Sequence, residues 1–519
     1  MGDTSSTLEN EIHTMMKLML KTLKNKYNCS ASDIIYVNLH VTDMSLFKDI
    51  NTIYCQYFGY NPPSRACVEI LPYLPNNARC MIDCMGYINS GCTIGDARIP
   101  VARDVLHVQS ISEWAPTCIG PYSQANILSG IQFQAGQIGL DPASMLLVQG
   151  GWLEETKQIL LNMNAVLKSL KSNTKCIISC IIWINSNAEG NNTNQTSQTK
   201  QSTNVQNGIR ELVQVWLNGD QHHAMDKISF LYVPNLPRGA ALEIQIIAMK
   251  NSMLIKGDGN DSIVLNWKKV PNKTKNKNAM VTNQENQHIL HCNGVYLEHV
   301  LCIGRVLFES SIANETISVE KKKNTNNELV EHENTMQTIF QSAIEEIFQQ
   351  LNNILIDSKL NWNTISQLQV YCCGDRTMHC NIRVWFANAW NIFISDMKIK
   401  LSLPALSFVP VVGNFMNIQI VMKAYNFNQV STLLNESTVV STIAIDLQEE
   451  YGDDDDDDAE IVEVVENGGG FAAAMAEVEN GNEGEDASEC SDMSDSDCDI
   501  FGDMPKGGIA VGSDEDEED

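Results

Sequence analysis

Nucleotide chemistry needs a glycine-rich loop whose backbone N–H groups cradle phosphates. No GxxxxGK(S/T) loop and no strand-linked GxGxxG occurs in the 519 residues; Gly468-Gly-Gly470 lies in an acidic stretch. Metal chemistry needs clustered ligands. The 16 cysteines contain no CxxC pair, and neither Cys80 with Cys84 nor Cys372, Cys373 and Cys380 has a common zinc spacing. They read as free thiols of a reducing compartment, serving as small apolar residues. Two other patterns stand out. Asn51-x-x-Tyr54 precedes Pro62-Pro-Ser-Arg65-x-Cys-Val68, and Ile119-Gly-Pro-Tyr-Ser-Gln-Ala125 precedes Ala135-Gly-Gln-Ile-Gly-Leu-Asp-Pro142. Both are rich in turn residues. The first carries an arginine, whose planar guanidinium can bind a carboxylate through two parallel hydrogen bonds.

Such strings need elements to hold them, and one pattern of elements occurs three times: helix, strand, helix, two strands. In the first copy Leu8, Ile12, Met15, Met16, Met19 and Leu23 share a helical face, Ile34 to Val41 reads as a strand, and Asp43 can cap a second helix. Strands at 66–71 and 79–86 close the unit. The second copy opens with a hairpin at 131–139. It continues with a stripe from Ile159 to Leu170, an unbroken apolar strand from Cys176 to Ile184, a helix over Ile209 to Leu217, and strands at 228–234 and 241–249. The third has a stripe from Met336 to Leu351, a strand over Ile365 to Cys372, a helix over Ile382 to Ile394, and strands at 406–412 and 417–424. Ile244-Gln-Ile-Ile-Ala248 resembles Ile418-Gln-Ile-Val421, so the copies read as related modules. Polar stretches at 186–207, 268–287 and 320–334 read as insertions or linkers.

The net charge of −29 resides in the tail: Glu449 to Asp519 holds 28 acidic residues and one lysine. The tail is expected to be disordered. Ser491, Ser494, Ser496 and Ser513 each precede an acidic residue and could be phosphorylated. The body is close to neutral, without the basic stripe that nucleic acid requires. No apolar run reaches the length of a membrane span, and no secretory leader pattern opens the sequence. A cytoplasmic location is expected, with neither nucleic acid nor membrane as partner.

The strings carry a family resemblance. Ile119 to Ala125 with Ala135 to Pro142 resembles the opening of a Rid module (reactive intermediate deaminase, also called L-PSP endoribonuclease-like). Asn51 to Val68 resembles the closing half of another. His107-Val-Gln-Ser-Ile-Ser-Glu-Trp-Ala-Pro116, with Leu236-Pro-Arg-Gly-Ala240, resembles the second Rid-like domain at the C-terminus of long eukaryotic diphthine–ammonia ligases. The resemblance runs over residues 30–250, and the third copy rests on its pattern alone.

The resemblance implies an α+β fold of tandem chorismate-mutase-like modules, each a mixed sheet with two helices on one face, plus the disordered acidic tail. The expected extents are 1–92, lacking an opening hairpin, 105–250, a linker at 251–287, a degenerate module at 288–428, and the tail at 448–519. Such ligases amidate diphthine on elongation factor 2 with ATP and ammonium, using an N-terminal domain with a Ser-Gly-Gly-x-Asp-Ser loop. That loop does not occur here, so ATP would belong to a domain outside this sequence, which reads as a piece or a short form of such a ligase. No cofactor is expected in this chain.

Rid deaminases hydrolyse enamines and imines derived from amino acids, which requires a cation for the carboxylate and an acid/base group. Arg65 matches the family's carboxylate-binding arginine, Asp83 falls near its acidic residue, and Tyr122 matches the tyrosine of the GPYSQ string. In the second module the arginine position falls at Lys227 or Ile228 and the acidic position at Gln245; Arg238 belongs to a separate turn. The expected role is therefore regulatory or scaffolding within a diphthine–ammonia ligase, the alternative being a deaminase of small amino-acid-derived intermediates. Expected partners are elongation factor 2 and a small carboxylate-bearing ligand. Three modules in one chain are expected to form an intrachain pseudo-trimer, with Tyr122 facing Arg65.

Overall fold

The computed structural model describes residues 7–88, 92–94, 97–99, 103–187, 195–217, 227–250, 266–270, 288–297, 301–310, 344–396, 405–412, 418–425 and 439–445. The acidic tail and the predicted helix start at 336–343 lie outside them.

The first module begins with α1 (Leu8–Tyr27). Thr7 accepts a hydrogen bond from the Asn10 N–H, and Asn28 ends the helix at φ 52°, a left-handed position asparagine tolerates. Its apolar face, Ile12, Met15, Met16, Met19 and Leu23, is buried. Then come β1 (Ile34–Val41), α2 (Phe47–Tyr54), β2 (Ser64–Glu69) and β3 (Cys80–Ile88). β1 is buried along its whole length. It pairs parallel with β2 and antiparallel with β3. The short strands β4 (Cys92–Ile94) and β5 (Ala97–Ile99) form a separate hairpin.

The second module has β6 (Arg103–Leu106), β7 (Ala125–Leu128), β8 (Ile131–Gln134), α3 (Gly151–Ser169), β9 (Ile177–Asn185), α4 (Gln195–Trp216), β10 (Ile228–Val233) and β11 (Leu242–Met249). Its sheet order is β10-β9-β11-β8-β7-β6. The predicted hairpin at 131–139 lies earlier, with its turn at Ser129 and Gly130, both at positive φ. α4 includes residues 195–207, whose polar composition points to an insertion.

The third module has β12 (Asn266–Val270), β13 (His288–Leu297), β14 (Leu301–Ser310), a helix α5 at 344–357, β15 (Ile365–Cys372), α6 (Arg376–Asp396), β16 (Ala405–Pro410) and β17 (Ile418–Tyr425). Its order is β12-β13-β14-β17-β15-β16. β12 lies within the expected linker, yet it pairs antiparallel with β13. In the first sheet, β18 (Val439–Ile445) completes the order β18-β3-β1-β2.

Each sheet thus repeats one arrangement: a parallel edge strand, a central strand, an antiparallel closing strand, then a further strand beside the closing one. The central strand meets the closing strand at a bulge in all three, between Ile34 and Tyr36, Ile247 and Ala248, and Ile365 and Gln367. That irregularity aligns the copies residue by residue.

Side chains from the three sheets share one buried core, in which Trp183 stacks edge-on with Tyr371 at 5.7 Å and Phe133 with Tyr425 at 6.0 Å. Polar bonds tie each pair of modules. Gln245 Nε2 donates to Asn38 Oδ1 at 2.9 Å. Arg305 Nη2 donates to Ser179 Oγ at 2.6 Å and Arg305 Nε to Ser229 Oγ at 3.1 Å. Gln369 Nε2 and Ser407 Oγ each donate to Asp83 at 3.0 Å. Among the described residues, no helix is long and apolar enough to cross a membrane.

Candidate functional site

The two turn-rich strings meet. Ser123 Oγ of the second module donates to the Pro62 carbonyl at 2.8 Å, Asn126 Nδ2 to Ser64 Oγ at 2.9 Å, and the Gly136 N–H to the Arg65 carbonyl at 3.2 Å. β2 of the first module is thereby docked against the start of the second.

Arg65 stands on β2 opposite Val37 and is 2% exposed. Its guanidinium lies 4.7 Å from the Tyr54 ring centroid, 5.4 Å from Tyr122 and 5.8 Å from Phe47, so three aromatic faces stabilise the cation. Nη2 donates to Asn51 Oδ1 at 2.7 Å, while Nη1 is buried without a hydrogen-bond partner. A buried donor left unpaired costs roughly 1–3 kcal/mol, and at a cleft it is a binding point for an anion. A Cβ on Gly120 would come within 2.7 Å of Arg65 Nη2, so that close approach requires glycine.

The acid beside Arg65 is Glu243, on β11 of the second module. It is 3% exposed, and its carboxyl accepts the Cys67 backbone N–H. Burial pushes it up to about 8, with the Arg65 charge and the Cys67 bond working against that rise. A Cβ on Gly136 would collide with this carboxyl. Burial likewise raises the Tyr122 phenol, which therefore stays protonated. A cavity of about 30 Å³ opens here, lined among others by Arg65, Tyr122, Glu243, Phe47, Ile138 and Pro237. It has room for about one or two waters or a very small polar group.

Of the three residues singled out from sequence, the structure brings Arg65 and Tyr122 together and sets Asp83 apart. Asp83 pairs with Asn38 on β1 whereas Arg65 pairs with Val37. Adjacent strand residues point to opposite faces. Arg65 faces α2; Asp83 faces the third module. There its carboxylate accepts bonds from Gln367, Gln369 and Ser407. Lys423 Nζ donates to the same two glutamines, to Gln367 Oε1 at 2.7 Å and Gln369 Oε1 at 3.0 Å. Two amides thus bridge a buried ammonium to a buried carboxylate. Burial raises the Asp83 carboxyl, with Lys423 opposing. This is a tie between modules, not an acid in the cleft.

The second module's acidic position is likewise not Gln245 but lies one strand repeat away. Counted from the bulge, Gln245 corresponds to Asp83, and Glu243 to Met81 and Gln419, since these three pair with Trp183, His40 and Tyr371. The same count settles the arginine position at Ile228, with Leu406 in the third module, because these pair with Cys180 and Leu368 as Arg65 pairs with Val37. In the Arg65 cleft an edge-strand residue of one module meets a closing-strand residue of the next, and the register gives the equivalent positions in the other copies. The pairs are Arg65 with Glu243, Ile228 with Gln419, and Leu406 with Met81. Among the described residues only the first pair supplies a cation and an acid.

The endoribonuclease L-PSP family model matches residues 2–88 and 112–250. The chain is 33% identical over 166 residues to the diphthine–ammonia ligase of Schizosaccharomyces pombe, covering 32% of this chain and 25% of the ligase. To that of Saccharomyces cerevisiae it is 28% identical over 239 residues, covering 44% of this chain and 33% of the ligase. It therefore spans about a quarter to a third of the length of these two relatives. The 2-iminobutanoate/2-iminopropanoate deaminase of Mus musculus is 31% identical over 140 residues, which cover 27% of this chain and 89% of the deaminase. With nearly the whole of that deaminase matched, and the matching strings meeting in one cleft, the chain belongs to the Rid, or endoribonuclease L-PSP, family.

Proposed function

We propose that the cleft between the first and second modules binds small carboxylates and hydrolyses imines or enamines that carry one. The observation behind this reading is the convergence of Arg65, with its unpaired Nη1, and Glu243, protonated near neutral pH, on one cavity. The substrate carboxylate accepts from Arg65. Glu243 donates its proton to the imine nitrogen as water adds to the adjacent carbon. Water's second proton passes to the Glu243 carboxylate and from it to the carbinolamine nitrogen, which leaves as ammonia as the C–N bond breaks, and the hydroxyl proton returns to Glu243 as the C=O bond forms. One imine and one water give one 2-oxo acid and one ammonia. The mouse relative's name records two compact substrates of this kind. In the test, ammonia release from 2-iminopropanoate is measured with wild type and Arg65→Ala. A charge-assisted hydrogen bond is worth roughly 1.5–3 kcal/mol, so a loss of about 10- to 150-fold is expected. An Arg65→Ala rate equal to wild type would overturn the assignment.

A second reading rests on the fission yeast similarity. The three-module body would be the regulatory or scaffolding Rid region of a cytoplasmic diphthine–ammonia ligase, presenting elongation factor 2 to an ATP-using domain. The cleft would then sense a carboxylate metabolite. Incubated with ATP, ammonium and diphthine-bearing elongation factor 2, this chain alone should leave diphthine unconverted; conversion above a no-protein control would refute that division of labour.

A further inference from the structure

In the second and third sheets, the strand beside the closing strand comes from a hairpin just ahead of the module. β8 pairs with β11, and β14 with β17. In the first sheet the equivalent place, beside β3, is taken by β18, which lies C-terminal to the third module. Seven antiparallel pairs run from Val439 opposite Ile88 to Ile445 opposite Ile82. β18 also lies against β15 and β16 of the third sheet, much as β8 lies against β2 of the first. Its position therefore matches that of β8 and β14 in the repeat, although the chain reaches it from the opposite end.

We propose that the outer edge of β3 is a strand-accepting site, filled in cis by residues 439–445, which take the place beside the closing strand of the first module. An open edge offers a row of backbone N–H and C=O groups that only another extended chain can satisfy. The segment Val439-Val-Ser-Thr-Ile-Ala-Ile445 is suited to edge pairing, being uncharged, free of proline and rich in β-branched residues. The same composition would pair promiscuously in isolation, and the acidic run beginning at Asp453 flanks it with repelling charge. β18 holds the C-terminal part of the chain to the first module and denies the edge to a second copy.

The register makes the proposal testable in the full chain. Ile443 pairs with Cys84, a free thiol, whereas Thr442 pairs with Met85. Directly opposed strand residues lie about 4.5–5.5 Å apart between Cα atoms, within disulfide range. Under mild oxidation, Ile443→Cys should give an intrachain cross-link to Cys84, found by peptide mass spectrometry, and Thr442→Cys should not. Equal cross-linking of both variants, or a cross-link that joins two chains on a non-reducing gel, would overturn the proposal. A second measurement does not depend on disulfide geometry. Thr442→Pro/Ile443→Pro removes two neighbouring N–H donors, so one of them is lost from the ladder whichever way the pairs alternate. Alternate amides of β3 should then lose their protection from hydrogen exchange while those of β11 and β17 keep theirs. Unchanged protection along β3 would equally sink the idea.

Discussion

Glu243→Gln replaces the cleft's acid with an amide of nearly the same shape, and its effect can be worked out from the burial of the group. A carboxyl at its ordinary value of 4.5 would be about 0.3% protonated at pH 7, whereas one near 8 is about 90% protonated, a gain of roughly 300-fold in the acid form. The proton is therefore available for an imine nitrogen at neutral pH. The wild-type kcat/KM should be level up to about pH 7 and fall about tenfold per unit above 8. Glu243→Gln should lower it by about 100- to 10,000-fold and abolish that limb, the usual range for a general acid. Arg65→Ala should move the limb to higher pH, because the guanidinium charge holds the carboxyl down. The assay is coupled ammonia detection across pH 5 to 9, with thermal melting as a check of folding. A Glu243→Gln enzyme with wild-type rates, or one that retains the alkaline limb, would refute the reasoning. Stability is linked to the same proton. The folded state keeps it up to about pH 8 while the unfolded chain releases it near 4.5, so stability falls as pH rises through that window. Glu243→Gln should flatten that fall.

Asp83 and the assembly yield the other expectations. Asp83→Asn removes the charge that balances buried Lys423, itself pushed down to about 8 by burial. Breaking a buried pair costs about 3–5 kcal/mol, so the urea midpoint should drop while ammonia release from folded protein stays at the wild-type level. A stable Asp83→Asn protein without hydrolysis would return Asp83 to the cleft. The full chain should have the mass of one copy in light scattering after size exclusion, because tethered modules reach each other at about millimolar effective concentration; a mass near three copies would mean that the modules associate between chains.

Much of the architecture is legible in the sequence because local patterning controls it. Ile34 to Val41 and Ile365 to Cys372 read as strands and are strands with those limits, since each is buried from end to end and bounded by turn residues. The helix stripes are equally plain, because period 3.6 leaves a readable trace wherever a face packs on a sheet. Arg65 and Tyr122 stand out because they sit in short Pro/Gly-rich strings whose turns leave a strong local signature.

What local patterning does not hold is position along a strand relative to another module. Glu243 and Gln245 lie two apart on β11 and share a face, so alternation cannot choose between them; the choice depends on a displacement of about 7 Å against a neighbouring sheet. The packing of the second sheet against the first decides it, placing Glu243 at Arg65 and Gln245 at Asn38, and that packing leaves no mark in a run of apolar residues. Asp83 is out of the cleft for a different reason: it lies on the face of the first sheet opposite Arg65, against the third module. β18 is the extreme case. It falls in the gap between the expected third module and the tail, its partner β3 lies at the other end of the chain, and only the packing of three sheets around one core brings the two edges together.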